Sequence, residues 1–312
     1  GSNQMITSED LRFIATIATH RTLASAARTL NITPPSVTLR LQHIEKKLSV
    51  PILQRPSRVV SLTEEGQLLL KKGLTILRAL DELQEQLDER KGQICGKLSV
   101  LAPLGFGNDY VAPLLGRYKQ MHPTLDIELE LSDHPEWSSH HKWDVIIYIG
   151  TLNNSSLRMV TLAANQRFIC ASPQYVQEMG RPETPFDLLQ HRCIALRENN
   201  EDVALWPFTD MANDRDQVIR INPSLASNEG RVIKEWALAG LGIIMRSEWD
   251  VQPQIDSGQL VRLLPDYALP DANIVALVGS AKQERSARIA GFLSLLKTQL
   301  SSVPWQPLNK DA

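Results

Sequence analysis

From residue 8 to residue 90 the apolar positions recur at helical spacing. Leu11, Ile14, Ala15 and Ala18 fall on one face of a helix that Ser8 can cap, and the pattern breaks near His20-Arg21-Thr22. Leu23 to Leu30 is a second, shorter helix whose narrow face of Ala26, Ala27 and Leu30 allows close helix approach. After the turn Asn31-Ile32-Thr33, Thr33 can cap a third helix that opens with Pro34 and Pro35, where proline is tolerated, and runs to Leu48. Val37, Leu41, Ile44 and Leu48 point inward along it, and Arg40, Gln42, His43 and Lys47 outward. Two helices joined by a short turn, the second opening on small polar residues, form a helix-turn-helix pattern. Pro51 to Leu62 then reads as two short strands around a basic tip, a wing beside the helices.

Thr63-Glu64-Glu65-Gly66 opens a long helix through about Arg90. Leu69, Ile76, Leu80, Leu83 and Leu87 recur along it in steps of three and four, broken at Gly73, as in a coiled-coil seam. A helix this long leaving a small winged unit has little of its own to pack against, so the stripe predicts a homodimer contact.

Beyond Gly96 the pattern changes. Strands are predicted over Lys97–Ala102, Asp126–Leu131, Asp144–Ile149, Phe168–Ala171, Gln217–Ile221 and Gly242–Met245, and helices over Asn108–Met121, Gly230–Ala239 and Ser286–Leu300. Such alternation predicts mostly parallel, doubly wound sheets with a ligand site at the carboxyl ends of their strands.

Charge sharpens the division. The 312-residue chain carries a net −2, but residues 1–92 carry +3 and the remainder −5. A basic end on an acidic body suits a small DNA-contacting module attached to a larger one that does not touch phosphate. No apolar run approaches the roughly 20 residues that span a bilayer, and no signal-peptide pattern opens the chain. A soluble, cytoplasmic protein without a membrane partner is expected. Cys95, Cys170 and Cys193 lack the short spacings of a zinc or redox motif. His134, His140 and His141, with Trp137 and Trp143, are the one cluster that suggests a metal, and adjacent histidines suit a shared ion poorly. No catalytic-serine elbow, phosphate loop or dinucleotide fingerprint is present. Neither an enzyme nor a cofactor is expected.

Ala26-Ala27-Arg28-Thr29-Leu30-Asn31-Ile32-Thr33, then Val37-Thr38, Leu41, Ile44-Glu45, Leu48, Leu53-Gln54-Arg55 and Leu62-Thr63-Glu64-Glu65-Gly66 follow in order and spacing the N-terminal signature of LysR-type transcriptional regulators, which the chain therefore resembles. Ala102-Pro103-Leu104-Gly105-Phe106-Gly107, Cys170-Ala171-Ser172-Pro173, Arg197-Glu198-Asn199 with Leu205-Trp206, and Trp236 to Ile243 resemble the branch with malate- and tartrate-type regulators. The resemblance implies an all-α winged helix-turn-helix over 5–63, a linker and dimerisation helix over 64–92, and an α/β, periplasmic-binding-protein-like effector domain of two Rossmann-like lobes over 93–312. Lobe I would span 93–170 and 270–312, with crossing strands near Cys170 and Pro270. It further implies promoter binding tuned by a small-molecule effector, a homodimer assembled as a dimer of dimers, and RNA polymerase as a partner.

On this reading the helix from Thr33 and Pro34 enters the major groove. Ser36, Thr38 and Gln42 reach base edges or phosphates, Pro35 lies against a thymine methyl, and Arg40, Arg55 and Arg58 meet phosphate or the minor groove. Many members carry Gln in place of Pro34 and Arg in place of Leu39, so two base-reading side chains are missing and specificity leans toward DNA shape. For the effector, the turn at Leu104, Gly105 and Phe106 offers N–H groups at a helix start, and Ser227 and Asn228 precede a second such start. Arg197 is the candidate carboxylate clamp, and Ser132, Ile149 and Trp206 complete the walls. A small organic acid is the expected ligand.

Overall fold

The computed structural model describes residues 5–54, 59–133, 142–150, 152, 156–197 and 204–306. The chain divides into two compact units, residues 1–92 and 93–312. In the first, α1 (Ser8–Ala18) is capped by Thr7 rather than Ser8. Thr7 Oγ1 accepts from the Asp10 N–H at 3.1 Å, and the Asp10 carboxylate accepts from the Thr7 N–H at 3.0 Å. That reciprocal pair needs an acid three residues after the cap, which Thr7 has and Ser8, facing Leu11, does not. α2 (Leu23–Leu30) and α3 (Pro34–Leu48) end on Asn31 and Ser49, both left-handed, at φ 55° and 57°. Ala26 and Ala27 are fully buried, so the helices close tightly over Phe13, Ile14, Ile17, Val37, Leu41 and Ile44. Of the expected wing, the described residues retain one antiparallel bridge, Leu53 to Leu62.

α4 (Glu64–Arg90) is capped by Thr63, whose Oγ1 accepts from the Gly66 N–H at 3.0 Å. Two glycines let it lie close to the unit: a Cβ on Gly66 would stand 2.3 Å from the Ile52 carbonyl, and one on Gly73 would stand 2.9 Å from Leu11. Gly73 is therefore the contact point with α1 rather than a mere gap in a leucine stripe. Leu69 likewise packs into the core of this unit, which removes it from the predicted seam. Ile76, Leu80, Leu83 and Leu87 stay 41–55% exposed.

In the second unit β1 (Gly96–Ala102) leads into the short α5 (Leu104–Phe106), a π-helical turn over Gly107–Val111 and α6 (Ala112–Met121). β2 (Leu125–Leu131), β3 (Val145–Ile149) and β4 (Arg158–Ala163) follow. The chain then builds β5 (Arg167–Ala171), α7 (Pro173–Met179), β6 (Ile194–Leu196), β7 (Leu205–Asp210), β8 (Arg215–Arg220) and β9 (Leu225–Ser227). α8 (Gly230–Leu238), β10 (Ile244–Ser247), α9 (Glu248–Asp256), β11 (Val261–Leu263) and β12 (Tyr267–Ala268) complete this lobe. β13 (Ile274–Val278), α10 (Ala281–Glu284) and α11 (Ala287–Leu300) return to the first.

The first lobe is a five-stranded sheet in the order β2-β1-β3-β13-β4 over a core of Leu98, Val100, Phe106, Tyr118, Phe292 and their neighbours. β1 runs parallel to β2 and β3, but β13 lies antiparallel to β3 and β4. In the second lobe β5 is antiparallel to both β10 and β11, and β7 to β8. The sheets are thus mixed rather than mostly parallel. A strand that arrives from the other lobe enters its sheet from the hinge end and runs against the strands already there. The crossings fall at 164–166 and 269–273, not at Cys170, which is buried inside β5.

Asn165 joins the two crossings. Its Nδ2 donates to the Ala272 carbonyl at 3.0 Å, its backbone N–H donates to Asn273 Oδ1 at 3.4 Å, and its own Oδ1 accepts the Trp249 N–H at 3.2 Å. Among the described residues no helix is long and apolar enough to cross a membrane.

The Asp10 carboxylate also ion-pairs with Lys47 at the end of α3, the two side chains being 11% and 14% exposed. Burial alone would raise its pKa, but the bonds from Lys47 and Thr7 outweigh it and hold the carboxyl below the ordinary 3.8. Its contribution is therefore full above that value and is lost as pH falls through and below it. Asp10→Ala should destabilise the first unit by about 2 kcal/mol at neutral pH. Chemical denaturation at about pH 7 and again at about pH 3 should show the gap between variant and parent closing in acid.

Candidate nucleic-acid interface and ligand cleft

Thr33 fixes the start of α3. Its backbone is extended at ψ 152°, and its hydroxyl accepts from the Ser36 N–H at 3.3 Å while bonding the Ser36 hydroxyl at 2.8 Å. Thr33, Pro34, Pro35, Ser36, Arg40 and Gln42 are exposed, and Thr38 is half-buried with its hydroxyl donating to the Pro34 carbonyl at 3.3 Å. The structure brings these residues together on the solvent side of one helix. Arg40 marks the edge of that face, its guanidinium 4.5 Å over the Phe13 ring. Arg55 and Arg58 lie outside the described residues, as do His134, Trp137, His140, His141 and the Glu198 beside Arg197. α3 has no acidic residue in its first turn, and its one carboxylate, Glu45, accepts from the Ile52 N–H at 2.8 Å.

In the second unit the chain leaves β1 at Ala102 and turns at Pro103. Leu101 to Phe106, Ser132, Asp133 and Ile147 to Ile149 form one wall of a cleft, and Asn228, Glu229, Gly230, Arg246, Ser247 and Trp249 form the other. Counted with its open mouth, the cleft holds about 610 Å³. Arg246 is the cation of that lining and is 7% exposed. Its Nε donates to Asp250 at 2.8 Å, and the other Asp250 oxygen accepts from Lys234 at 2.9 Å. Burial would raise the Asp250 carboxyl, but Arg246 and Lys234 reverse this and hold it below the usual range. One carboxylate thus faces two cations, of which Arg246 lines the cleft, together with the acids Asp133 and Glu229.

The guanidinium lies against the first residue of α8. A Cβ on Gly230 would come within 2.2 Å of its central carbon, so the seat exists because Gly230 has no side chain. On the other flank Arg246 stands 5.1 Å over the Trp249 ring, which in turn meets Phe106 edge-on at 5.5 Å. Backbone N–H groups at a helix start and a desolvated guanidinium together suit an anion. Contacts across the mouth include Asn228 Nδ2 donating to Asp133 at 2.8 Å, Arg231 donating to the Gly105 carbonyl at 3.3 Å, and the ion pair of Arg231 with Asp109.

Residues 91–301 match the LysR substrate binding domain, and residues 8–67 match the bacterial regulatory helix-turn-helix protein of the lysR family. The chain belongs to the LysR family of transcriptional regulators. It is 32% identical over 271 residues to the HTH-type transcriptional activator TtdR of Escherichia coli (strain K12), covering 86% of each protein. It is 30% identical over 275 residues to the HTH-type transcriptional regulator DmlR of the same strain, covering 88% of this chain and 89% of DmlR. Full-length AphB, the Vibrio cholerae virulence activator, shares the fold at a TM-score of 0.58 and 21% identity, covering 94% and 99% of the two chains. A LysR-family chain with both domains is a DNA-binding transcriptional regulator with an effector-binding domain, as its sequence implied.

Within this LysR effector domain Leu104, Gly105, Phe106, Ser132, Ile149 and Asn228 line the cleft, whereas Ser227, Arg197 and Trp206 do not. The Ser227 hydroxyl is turned to the Glu229 N–H at 3.1 Å. Arg197 is exposed beyond β6, where its backbone N–H donates to the Ser227 carbonyl at 2.8 Å. That bond pairs the ends of β6 and β9 and leaves the Arg197 side chain in solvent, outside the cleft lining. Trp206 is 2% exposed in the core of the second lobe, because alternation along β7 turns it and Phe208 inward. Arg246 and Trp249 line the cleft where Arg197 and Trp206 were expected to do so. The signal for Arg246 was a single cation closing the apolar run Ile243-Ile244-Met245, with an acid four residues later. Burial pushes the Cys170 and Cys193 thiols up to about 12, so neither is a ready nucleophile.

Gly230→Ala should push the guanidinium from its seat. Calorimetry is expected to find ligand affinity reduced by about tenfold or more, the loss of one charged hydrogen-bonding partner, with DNA affinity unchanged.

Proposed function

We propose that this regulator binds promoter DNA as a homodimer and releases or repositions its grip when a small organic acid anion enters the cleft. The observation that carries the ligand class is Arg246, a buried guanidinium of the cleft lining held against the start of α8 with its Nε on Asp250. The anion's carboxylate would meet Arg246 and the N–H groups at the start of α8. Leu104 to Phe106, Ser132, Ile149 and Asn228 would enclose the rest of it.

The reading divides the chain into a DNA-binding domain over 5–63, a dimerisation helix over 64–92 and an effector domain over 93–312. Thr33, Pro34, Pro35, Ser36, Thr38, Arg40 and Gln42 would form the groove-facing surface, with Arg55 and Arg58 on phosphate. Promoter binding puts the protein in the cytoplasm, with RNA polymerase as a further partner and no catalysis of its own. Support for pairing comes from the exposed stripe of Ile76, Leu80, Leu83 and Leu87, whose steps of four, three and four keep one face of α4 apolar. Assembly of two such dimers belongs to the same proposal.

A thermal-shift panel of small mono- and dicarboxylic acids tests the ligand class, since a ligand that binds the folded state raises its melting point. At least one acid should stabilise the parent chain, and Arg246→Gln should bind that acid about 10- to 100-fold more weakly while still binding DNA. If Arg246→Gln keeps the full shift, the anion seat lies elsewhere. Changing Leu80 and Leu83 together to Asp should yield monomers in ultracentrifugation and weaken promoter binding by about a hundredfold through lost avidity. A variant that stays dimeric would move the interface off this stripe.

A further inference from the structure

The polar side chains at the start of α3 are largely engaged within their own unit. The Ser36 hydroxyl bonds Thr33, the Thr38 hydroxyl bonds the Pro34 carbonyl, and the Arg40 guanidinium covers Phe13. At the centre of the outward face stands a leucine. Leu39 is 68% exposed, and the turn of an α-helix places it almost directly opposite the buried Val37, Leu41 and Ile44. Pro35 precedes it by one turn and Gln42 follows by one, both exposed. Among the described residues none buries the Leu39 side chain, which sits in water on the second helix of the helix-turn-helix pair, within the segment that matches the lysR-family helix-turn-helix.

The charge around Leu39 points to a polyanionic occupant. Arg40 and Lys46 lie on the same helix, its first turn holds no acid, and Glu45 is occupied by the Ile52 N–H. The start of a helix adds partial positive charge on the same side. In the major groove thymine is the base that presents a methyl group, and an apolar side chain is what recognises it.

We infer that Leu39, with Pro35 beside it, reads thymine methyl groups in the major groove, so that each half-site carries a thymine at a fixed position facing α3. The inference rests on the promoter-binding reading and is independent of the effector. It makes apolar contact, rather than side-chain hydrogen bonding, the sequence-reading device at the centre of this helix.

The test uses the full-length chain and duplexes selected by it from a random library. Replacing each thymine of a selected site in turn by deoxyuridine removes the methyl and keeps the hydrogen-bonding edge. At one position per half-site this should weaken binding by the parent chain about fourfold, the effect of losing one buried methyl. Leu39→Ala should bind the thymine and deoxyuridine duplexes alike, while keeping the parent's melting point and its salt-dependent affinity for unrelated DNA. Leu39→Met should restore sensitivity to the methyl. A parent chain indifferent to deoxyuridine at every position would overturn the inference, as would a Leu39→Ala variant with undiminished sensitivity. Altered sedimentation of Leu39→Ala in the absence of DNA would also overturn it, by assigning Leu39 to a contact between copies. If no sequence is enriched at all, the promoter-binding reading fails and takes the inference with it.

Discussion

Asp250 is a carboxylate with 2% of its side chain exposed, and a charge so removed from water must be met by opposite charge or neutralised. Arg246 and Lys234 meet it from β10 and α8, which fixes the start of one helix against the end of one strand. The cleft depends on that arrangement. Asp250 holds the Nε edge of Arg246, and Gly230, lacking a side chain, leaves room for the guanidinium beside it. Losing the Gly230 hydrogen to a methyl group, or the Asp250 charge to an amide, disturbs the same seat from two sides.

Asn165 gathers both crossing segments and the start of α9 through three hydrogen bonds, and Trp249, next to that point, packs into the first lobe's core from the second lobe's helix. Across the mouth, the Asn228–Asp133 and Arg231–Asp109 contacts are exposed, so they contribute little stability and exchange readily with water. Local unwinding at Gly107–Val111 into a π turn sits beside the same wall, where it adds one residue to the turn under Phe106 and Tyr110.

The N-terminal unit places its polar groups differently. Four of its threonines sit at helix starts: Thr7, Thr22, Thr33 and Thr63 each accept from a backbone N–H of the helix that follows. α4 is divided along its length. Gly66, Leu69, Gly73 and Leu77 face the unit's own helices, whereas Ile76, Leu80, Leu83 and Leu87 further round remain in water. The stripe is therefore an apolar face that has no partner among the described residues of its own unit, on a helix whose inner face is cut back to glycine.

Local chemistry was legible in the sequence where a few neighbouring residues suffice to decide it. Thr33 followed by two prolines sets the start of α3, Ala26 and Ala27 set a close helix contact, and the step pattern of Ile76, Leu80, Leu83 and Leu87 sets an apolar face, since each depends on contacts within a turn or two of helix. The order of motifs was enough to name the family, because helix starts and apolar periods persist whatever surrounds them. The lining of the cleft was decided by the tertiary structure. Arg246 reaches it beside Gly230 and Asp250, brought there from different elements, and Arg197 and Trp206 lie outside it because the strand ends and pleat that carry them face elsewhere. The direction of β13 and the place of Leu69 were settled in the same way: which end of a sheet a strand enters, and which of two faces a leucine serves, depend on what the rest of the chain has packed there.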